Sequence, residues 1–144
     1  NQILVASVLG WLVAQLLKTG IYMYLNKSFV SERLVGSGGM PSSHSATVCA
    51  LSTAAGIQYG LDSFPFAVCT ILAIIVMYDA LGVRRETGIQ AKVLNEMIDL
   101  FESMNKELST DEKLKELVGH TPLQVLMGAI LGIIIAFIVM NLYH

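Results

Sequence analysis

Gly36-Ser37-Gly38-Gly39-Met40-Pro41-Ser42-Ser43-His44-Ser45 runs directly into an apolar segment that begins at Ala46. Glycines, a proline and hydroxyls suit a loop, and serine and proline are both favoured where a helix begins. The stretch is therefore expected to deliver backbone amides, hydroxyls and one imidazole to a helix N-terminus, where anions bind readily. Taken alone it reads equally well as a serine-rich helix cap beside an incidental histidine.

The surrounding chain is built for lipid. Its 144 residues are 54% hydrophobic and only 14% charged, with a mean hydropathy of +0.64, whereas a soluble domain has about 25% charged residues. The net charge of −2 says little about partners, and nothing in the sequence suggests a nucleic-acid partner. The first apolar run, Ile3 to Tyr24, lacks the basic start and small-residue cleavage site of a signal peptide. It is long enough to cross the roughly 30 Å hydrocarbon layer of a bilayer.

Three more such runs follow. The second is expected over 43–59, the third over 64–81 with Pro65 in its first turn, and the fourth over 121–143. Small residues four apart (Ala6, Gly10 and Ala14; Ala46, Ala50 and Ala54; Gly128 and Gly132) mark faces where membrane helices pack closely. The insert 87–119 differs. Ile89, Val93, Met97, Phe101, Met104 and Leu108 recur every three or four residues among charged neighbours, as in an amphipathic helix on a membrane surface or a partner. Ser109 and Glu112 have capping-box spacing for a short helix ending at Gly119.

These elements predict an all-α fold. It is a polytopic membrane helical bundle of about four transmembrane helices, with an amphipathic cytoplasmic or interfacial helix between the third and fourth. The whole of 1–144 forms a single membrane domain in this reading, the first span covering about 3–24. The chain alternates sides, so the first and third spans end, and the second and fourth begin, on one side of the membrane. All nine Lys and Arg fall on that side, which the positive-inside rule assigns to the cytoplasm.

Ionisable residues inside or at the mouths of spans are expensive and therefore candidates for function. Lys18 lies within the first run, about two turns from its end, and reads as functional, with snorkelling as the alternative. Asp79 lies near the end of the third, followed by Arg84 and Arg85, and an ion pair with Lys18 is its simplest role. His44 and His120 stand at the mouths of the second and fourth spans. Cys49 and Cys69 enter their spans from opposite faces and read as small buried hydrophobes. Three histidines without spaced Cys, Asp or Glu partners do not make a zinc site, and neither Rossmann glycines nor a Walker lysine is present.

His120-Thr-Pro-Leu-Gln124-Val125-Leu-Met-Gly128-Ala-Ile-Leu131-Gly132 resembles the third signature of the type 2 phosphatidic acid phosphatase and vanadium haloperoxidase superfamily. Pro41-Ser42-Ser43-His44 resembles its second signature, and Tyr78-Asp79-Ala-Leu-Gly-Val-Arg84-Arg85 fits a small divergent branch. The resemblance implies an integral membrane phosphatase acting on a lipid phosphate or an isoprenyl or lipid diphosphate through a phosphohistidine. In it His120 attacks phosphorus, His44 protonates the leaving oxygen, and Lys18, Ser42, Ser43, Arg84 and Arg85 hold phosphate. No cofactor is implied, vanadate would mimic phosphate, and Asp79 with Glu86 leaves a divalent metal open. A membrane lipid is the implied partner, and the glycine stripes are compatible with a homodimer.

This chain departs from the superfamily pattern at several positions. Gln124 stands where the family has an acid, so Asp79 becomes the candidate for the missing charge. Ser43 stands where it has glycine, and about 35 residues separate Arg85 from His120. Lys18 is the choice for the lysine of the first signature; Lys27 with Arg33 fits less well because Leu34 follows. Gln124 carries the alternative reading of a weak or inactive protein that binds phosphorylated lipid or scaffolds a partner. A small transporter or structural bundle is the remaining reading.

Overall fold

Apolar runs in lipid must satisfy their backbone groups internally, and helices do so within one segment. The computed structural model describes residues 1–27, 39–103 and 120–142, with Val83, Arg84 and Glu102 described by backbone alone. Among these residues there are five helices and no strand: α1 (Gln2–Asn26), α2 (Ser43–Tyr59), α3 (Phe64–Leu81), α4 (Val83–Ser103) and α5 (Pro122–Leu142). Gly36 to Gly38, Arg33 and the Ser109–Glu112 capping box lie outside the described residues.

Each boundary has a local cause. The Asn1 side chain caps α1 by accepting from the Leu4 amide at 3.2 Å. Gly60 takes a φ of +90°, which ends α2 and lets the Ser63 hydroxyl donate to the Gly60 carbonyl at 2.7 Å. Ser63 caps α3, and proline sits in its first turn. Gly82 alone separates α3 from α4, so Arg84 and Arg85 lie in the first turn of α4 rather than in a loop before an insert beginning at 87.

Contacts between helices fix their directions. Lys18, near the end of α1, meets Ser43 at the start of α2, while Gly10 packs on Ala46 and Ala50 further along. Ser52 bonds Thr70 at 2.8 Å, and Gly56 packs on Phe66 near the start of α3. Thus α1 and α3 run antiparallel to α2. In contrast, Gly128 faces Ser42 and Gly132 faces Ala46 in the same order, so α5 runs parallel to α2. The ends of α1 and α3 and the beginnings of α2 and α5 consequently share one end of the bundle.

The interior is lined with small side chains. Ala6, Ala14, Ala46, Ala50, Ala54 and Ala136 are fully buried, whereas Val68, Ile71, Ile74, Leu126, Ile130 and Phe137 are exposed. That inversion is expected where lipid surrounds the protein and close backbone packing, not expulsion of water, joins the helices. Ala6, Ala50, Ala54, Ala136, Val139 and Met140 form one core cluster, toward the end away from Lys18.

Among the described residues, three helices are long and apolar enough to cross a membrane by length and composition: Gln2–Asn26, the run Phe64–Phe101 that contains α3, and Pro122–Leu142. The remaining bundle helix, α2, differs in kind. It has 17 residues, among them buried Ser43, Ser45 and Ser52, and rises about 25 Å. It packs against α1, α3 and α5, so protein rather than lipid covers its polar atoms. α4 buries Ala91 and Asn95, exposes Ile89, Val93, Met97 and Leu100, and pairs Lys92 with Glu96 at 4.0 Å across one turn. Cys49 is buried against Met77 while Cys69 is only half-buried, less covered than its sequence suggests because α3 lies at the edge of the bundle.

The α2–α5 contact generates a direct expectation. A Cβ on Gly132 would fall on the Ala46 carbonyl oxygen, whereas one on Gly20 meets nothing within 4 Å. Gly132→Ala should destabilise the bundle by at least the ~1–3 kcal/mol typical of overpacking, read as a lowered Tm in detergent. Gly20→Ala should leave the Tm unchanged or slightly raised.

Candidate active site

The turn before α2 is the hub of the shared end. It contains a cis Met40–Pro41 bond and then Ser42, which is extended (φ −69°, ψ 115°) and caps the helix. The Ser42 Oγ accepts from the Ser45 amide at 3.3 Å and from the Ser45 hydroxyl at 3.0 Å, and both serines are fully buried. The Ser42 amide donates to the Gln124 carbonyl at 3.0 Å, and the His120 amide donates to the Ala80 carbonyl at 3.2 Å. Those two backbone bonds tie the start of α5 to α2 on one side and to the end of α3 on the other.

This arrangement brings His44 and His120 together. His44 occupies the first turn of α2, partly buried, and His120 immediately precedes the Thr121-Pro122 start of α5 with only 3% of its surface exposed. Their ring centroids are 6.2 Å apart, tilted by 56°. A nucleophile stands about 3–3.5 Å from the atom it attacks, and a general acid about 2.6–3.2 Å from the atom it protonates. At that separation both imidazoles can reach a single small oxyanion at the shared end of the bundle.

Lys18 joins them from α1. It is 3% exposed and its Nζ donates to the Ser43 Oγ at 3.4 Å. Gly39, with φ +89°, lies against its stem, where a Cβ would come within 3.2 Å of the Lys18 Cγ; the backbone covers the lysine because this residue has no side chain. The N-termini of α2 and α5 and the Lys18 side chain thus converge on one layer, and helix N-termini favour an anion.

Other expected site residues sit differently. Ser42 spends its oxygen on capping, so it holds the turn, and Ser43 is the serine that meets Lys18. Arg85 is exposed on α4 and the Arg84 side chain is outside the described residues. Asp79 is half-buried next to Ala80, whose carbonyl receives the His120 amide.

Two features were missed in the sequence. Thr121 and Gln124 form a capping box around Pro122: the Gln124 amide donates to the Thr121 Oγ1 at 3.3 Å, and the Thr121 amide donates to the Gln124 Oε1 at 3.0 Å. The T-x-x-Q spacing with proline at the first helical position was the signal. Gln15 is 4% exposed, and its Oε1 accepts no hydrogen bond among the described residues; no sequence pattern marks that.

An all-α membrane bundle carrying two imidazoles and a buried lysine at one helix-end layer is the class that fold and site define. Comparison with known proteins makes it particular. Residues 1–135 match the model of the divergent PAP2 family. The chain is also 40% identical to the uncharacterized membrane protein YuiD of Bacillus subtilis (strain 168), over 94% of this chain and 91% of that one. No solved structure matches it. The chain belongs to the divergent PAP2 family and is a PAP2-related integral membrane protein.

The division of labour between adjacent serines can be measured. Ser42→Ala removes the α2 cap and should cost about 0.5–2 kcal/mol, seen in denaturant or thermal unfolding in detergent. Ser43→Ala leaves the cap intact and removes an acceptor of buried Lys18, so its cost should largely vanish in a Lys18→Met background, whereas the cost of Ser42→Ala should persist there.

Proposed function

We propose that this protein is a membrane phosphatase that hydrolyses a lipid phosphate or an isoprenyl or lipid diphosphate through a phosphohistidine. The observation carrying this reading is the pair of rings, His44 and His120, 6.2 Å apart at the layer where two helices begin. Buried Lys18 beside Ser43 places an amine at that layer, where an arriving phosphate would favour its protonated form. The apolar outer faces of α3 and α5 suit a substrate whose tail stays in lipid.

In this mechanism a ring nitrogen of His120 forms a bond to phosphorus as the P–O bond to the lipid breaks. His44 gives its proton to the departing oxygen. It then takes a proton from the water that attacks the phosphohistidine, and the N–P bond breaks to release phosphate. Covalent catalysis divides one difficult displacement into two easier ones. Lys18, the Ser43 hydroxyl, the amides opening α2 and either Arg84 or Arg85 hold the equatorial oxygens as charge moves between them. Asp79 is the carboxylate proposed to balance the cations.

One observation favours a second reading. The His120 Nδ1 faces the neutral amide of Gln124 at 3.2 Å, where a carboxylate would better stabilise a phosphorylated ring. A protein that binds phosphorylated lipid without turnover would have the same anion site.

Phosphate release from a panel of lipid phosphates in detergent separates the two. Turnover is expected in the wild type, with and without EDTA. It should be lost in His120→Ala and reduced about 10²–10⁴-fold in His44→Ala, the usual contribution of a general acid. Binding of vanadate with no turnover on any lipid would favour the binding protein, and turnover abolished by EDTA would move the chemistry to a metal.

The site is proposed to face the cytoplasm, because Lys and Arg gather at that end. With Cys49 and Cys69 replaced by serine, an Arg85→Cys variant should react with an impermeant thiol reagent in inside-out vesicles and not in intact cells. The reverse pattern would place the site outside.

A further inference from the structure

The second half of α1 has a polar side and an apolar one. Gln15, Lys18, Thr19 and Tyr22 follow the three- and four-residue spacing that puts side chains on one helix face. Leu16, Leu17 and Ile21, between them in sequence, are exposed. Burial deepens along the polar seam: Tyr22 is half-buried, and Thr19, Lys18 and Gln15 are buried. The Thr19 hydroxyl donates to the main-chain carbonyl of Gln15 at 2.9 Å, and Lys18 reaches Ser43. The seam ends at the Gln15 Oε1, which accepts no hydrogen bond among the described residues although Gln15 is only 4% exposed. A buried acceptor left in that state is expensive and calls for an explanation.

Its register relates it to the candidate active site. Gly10 packs on Ala46 and Ala50, and Lys18 meets Ser43, so Gln15 lies at the level of the first turns of α2. It is about 4.5 Å along the helix axis from Lys18, one step deeper than the layer where the histidines meet. Whatever fills the place must donate, because a carbonyl oxygen only accepts. The phosphate proposed for the layer does not qualify. Helix N-termini and a lysine favour its fully ionised form, which has no O–H to offer. A diphosphate without hydroxyls fails in the same way.

We infer that Gln15 is a specificity residue that accepts a hydrogen bond from a hydroxyl of the lipid head, so that the preferred substrate carries a free hydroxyl close to the phosphate it loses. The inference rests on the reading that a phosphorylated lipid head binds at this layer. The Gln15 oxygen is out of water before the lipid arrives, so a head without the hydroxyl leaves it unpartnered. A site built that way discriminates more sharply than an apolar pocket does.

Two short-chain lipids of equal charge isolate the contact. One is dioctanoyl phosphatidylglycerol phosphate, whose glycerol linker keeps a hydroxyl; the other is its deoxy counterpart with a propanediol linker. Binding is read from the rise in Tm of the full chain in detergent as lipid is added. A His120→Ala background prevents turnover, and KM is measured in parallel with His120 present. The hydroxyl lipid should bind about 5–150-fold more tightly, the ratio expected when one buried acceptor loses its donor. In Gln15→Met the two lipids should bind alike, through loss of affinity for the hydroxyl lipid, with kcat little changed. The lipid-free Tm of Gln15→Met should equal or exceed that of the wild type, because the Oε1 gives up no bond. A glutamine that served packing alone would instead lower the Tm and leave the ratio unchanged.

Equal affinity for the two lipids with Gln15 in place would overturn the inference and leave that oxygen to water. A preference that survives Gln15→Met would overturn it as well. Discrimination without phosphate release would remove the phosphatase reading and leave the inference standing. Failure of both lipids to raise the Tm or to be hydrolysed would remove both.

Discussion

Contact between the backbones of α5 and α2 comes before everything else at this end of the molecule. Gly128 and Gly132 place the α5 backbone directly on the carbonyl oxygens of Ser42 and Ala46, leaving no room for a Cβ at either position. Only at that separation can the Ser42 amide reach the Gln124 carbonyl. Only then do the two helices begin at one level, with His44 in the first turn of one and His120 just ahead of the other. Membrane helices gain little by hiding apolar area from each other, because lipid is as apolar as they are. Close packing of small residues is what remains, and here the same packing that holds the bundle together sets the spacing of the imidazoles.

The polar layer follows from that constraint. Charges and hydroxyls inside lipid are costly unless they are paired or functional, and this chain collects them where four helix ends converge. Lys18 approaches Ser43, Ser45 bonds Ser42, and His120 is held by Gln124 and by the Ala80 carbonyl. α2 is shielded by its neighbours, which lets a short, serine-bearing helix occupy the centre. The exposed faces of α3 and α5 remain large and apolar. The proposed substrate, an amphiphile whose charged head enters protein while its tail stays in lipid, matches a polar layer at helix ends bordered by an apolar belt.

Much of this could be read from the residues. Apolar runs marked the helices of the bundle, and small residues four apart marked their packing faces. The histidine motifs identified the family that the comparison with known proteins then showed. Periodicity does not say which face meets which, however, so nothing in the sequence showed that Gly132 would rest on Ala46 rather than on α1 or α3. The third span and the insert were expected to leave 82–86 between them, yet a single non-helical residue, Gly82, suffices before α4 begins, and Arg85 is left exposed. Gln124 attracted notice for the acid it replaces, which hid its ordinary role in a capping box. Serines 42 and 43 were equivalent as letters, and only the turn geometry separates the capping one from the one facing Lys18.

The central claim is that one oxyanion is held jointly by His44 and His120. A structure of the protein in lipid nanodiscs with vanadate tests it most directly. The account predicts vanadium bonded to a ring nitrogen of His120, an oxygen within hydrogen-bond reach of His44, and Lys18 beside the equatorial oxygens. Vanadate bound elsewhere, or seated between the rings with His120 turned away from the metal, would contradict it.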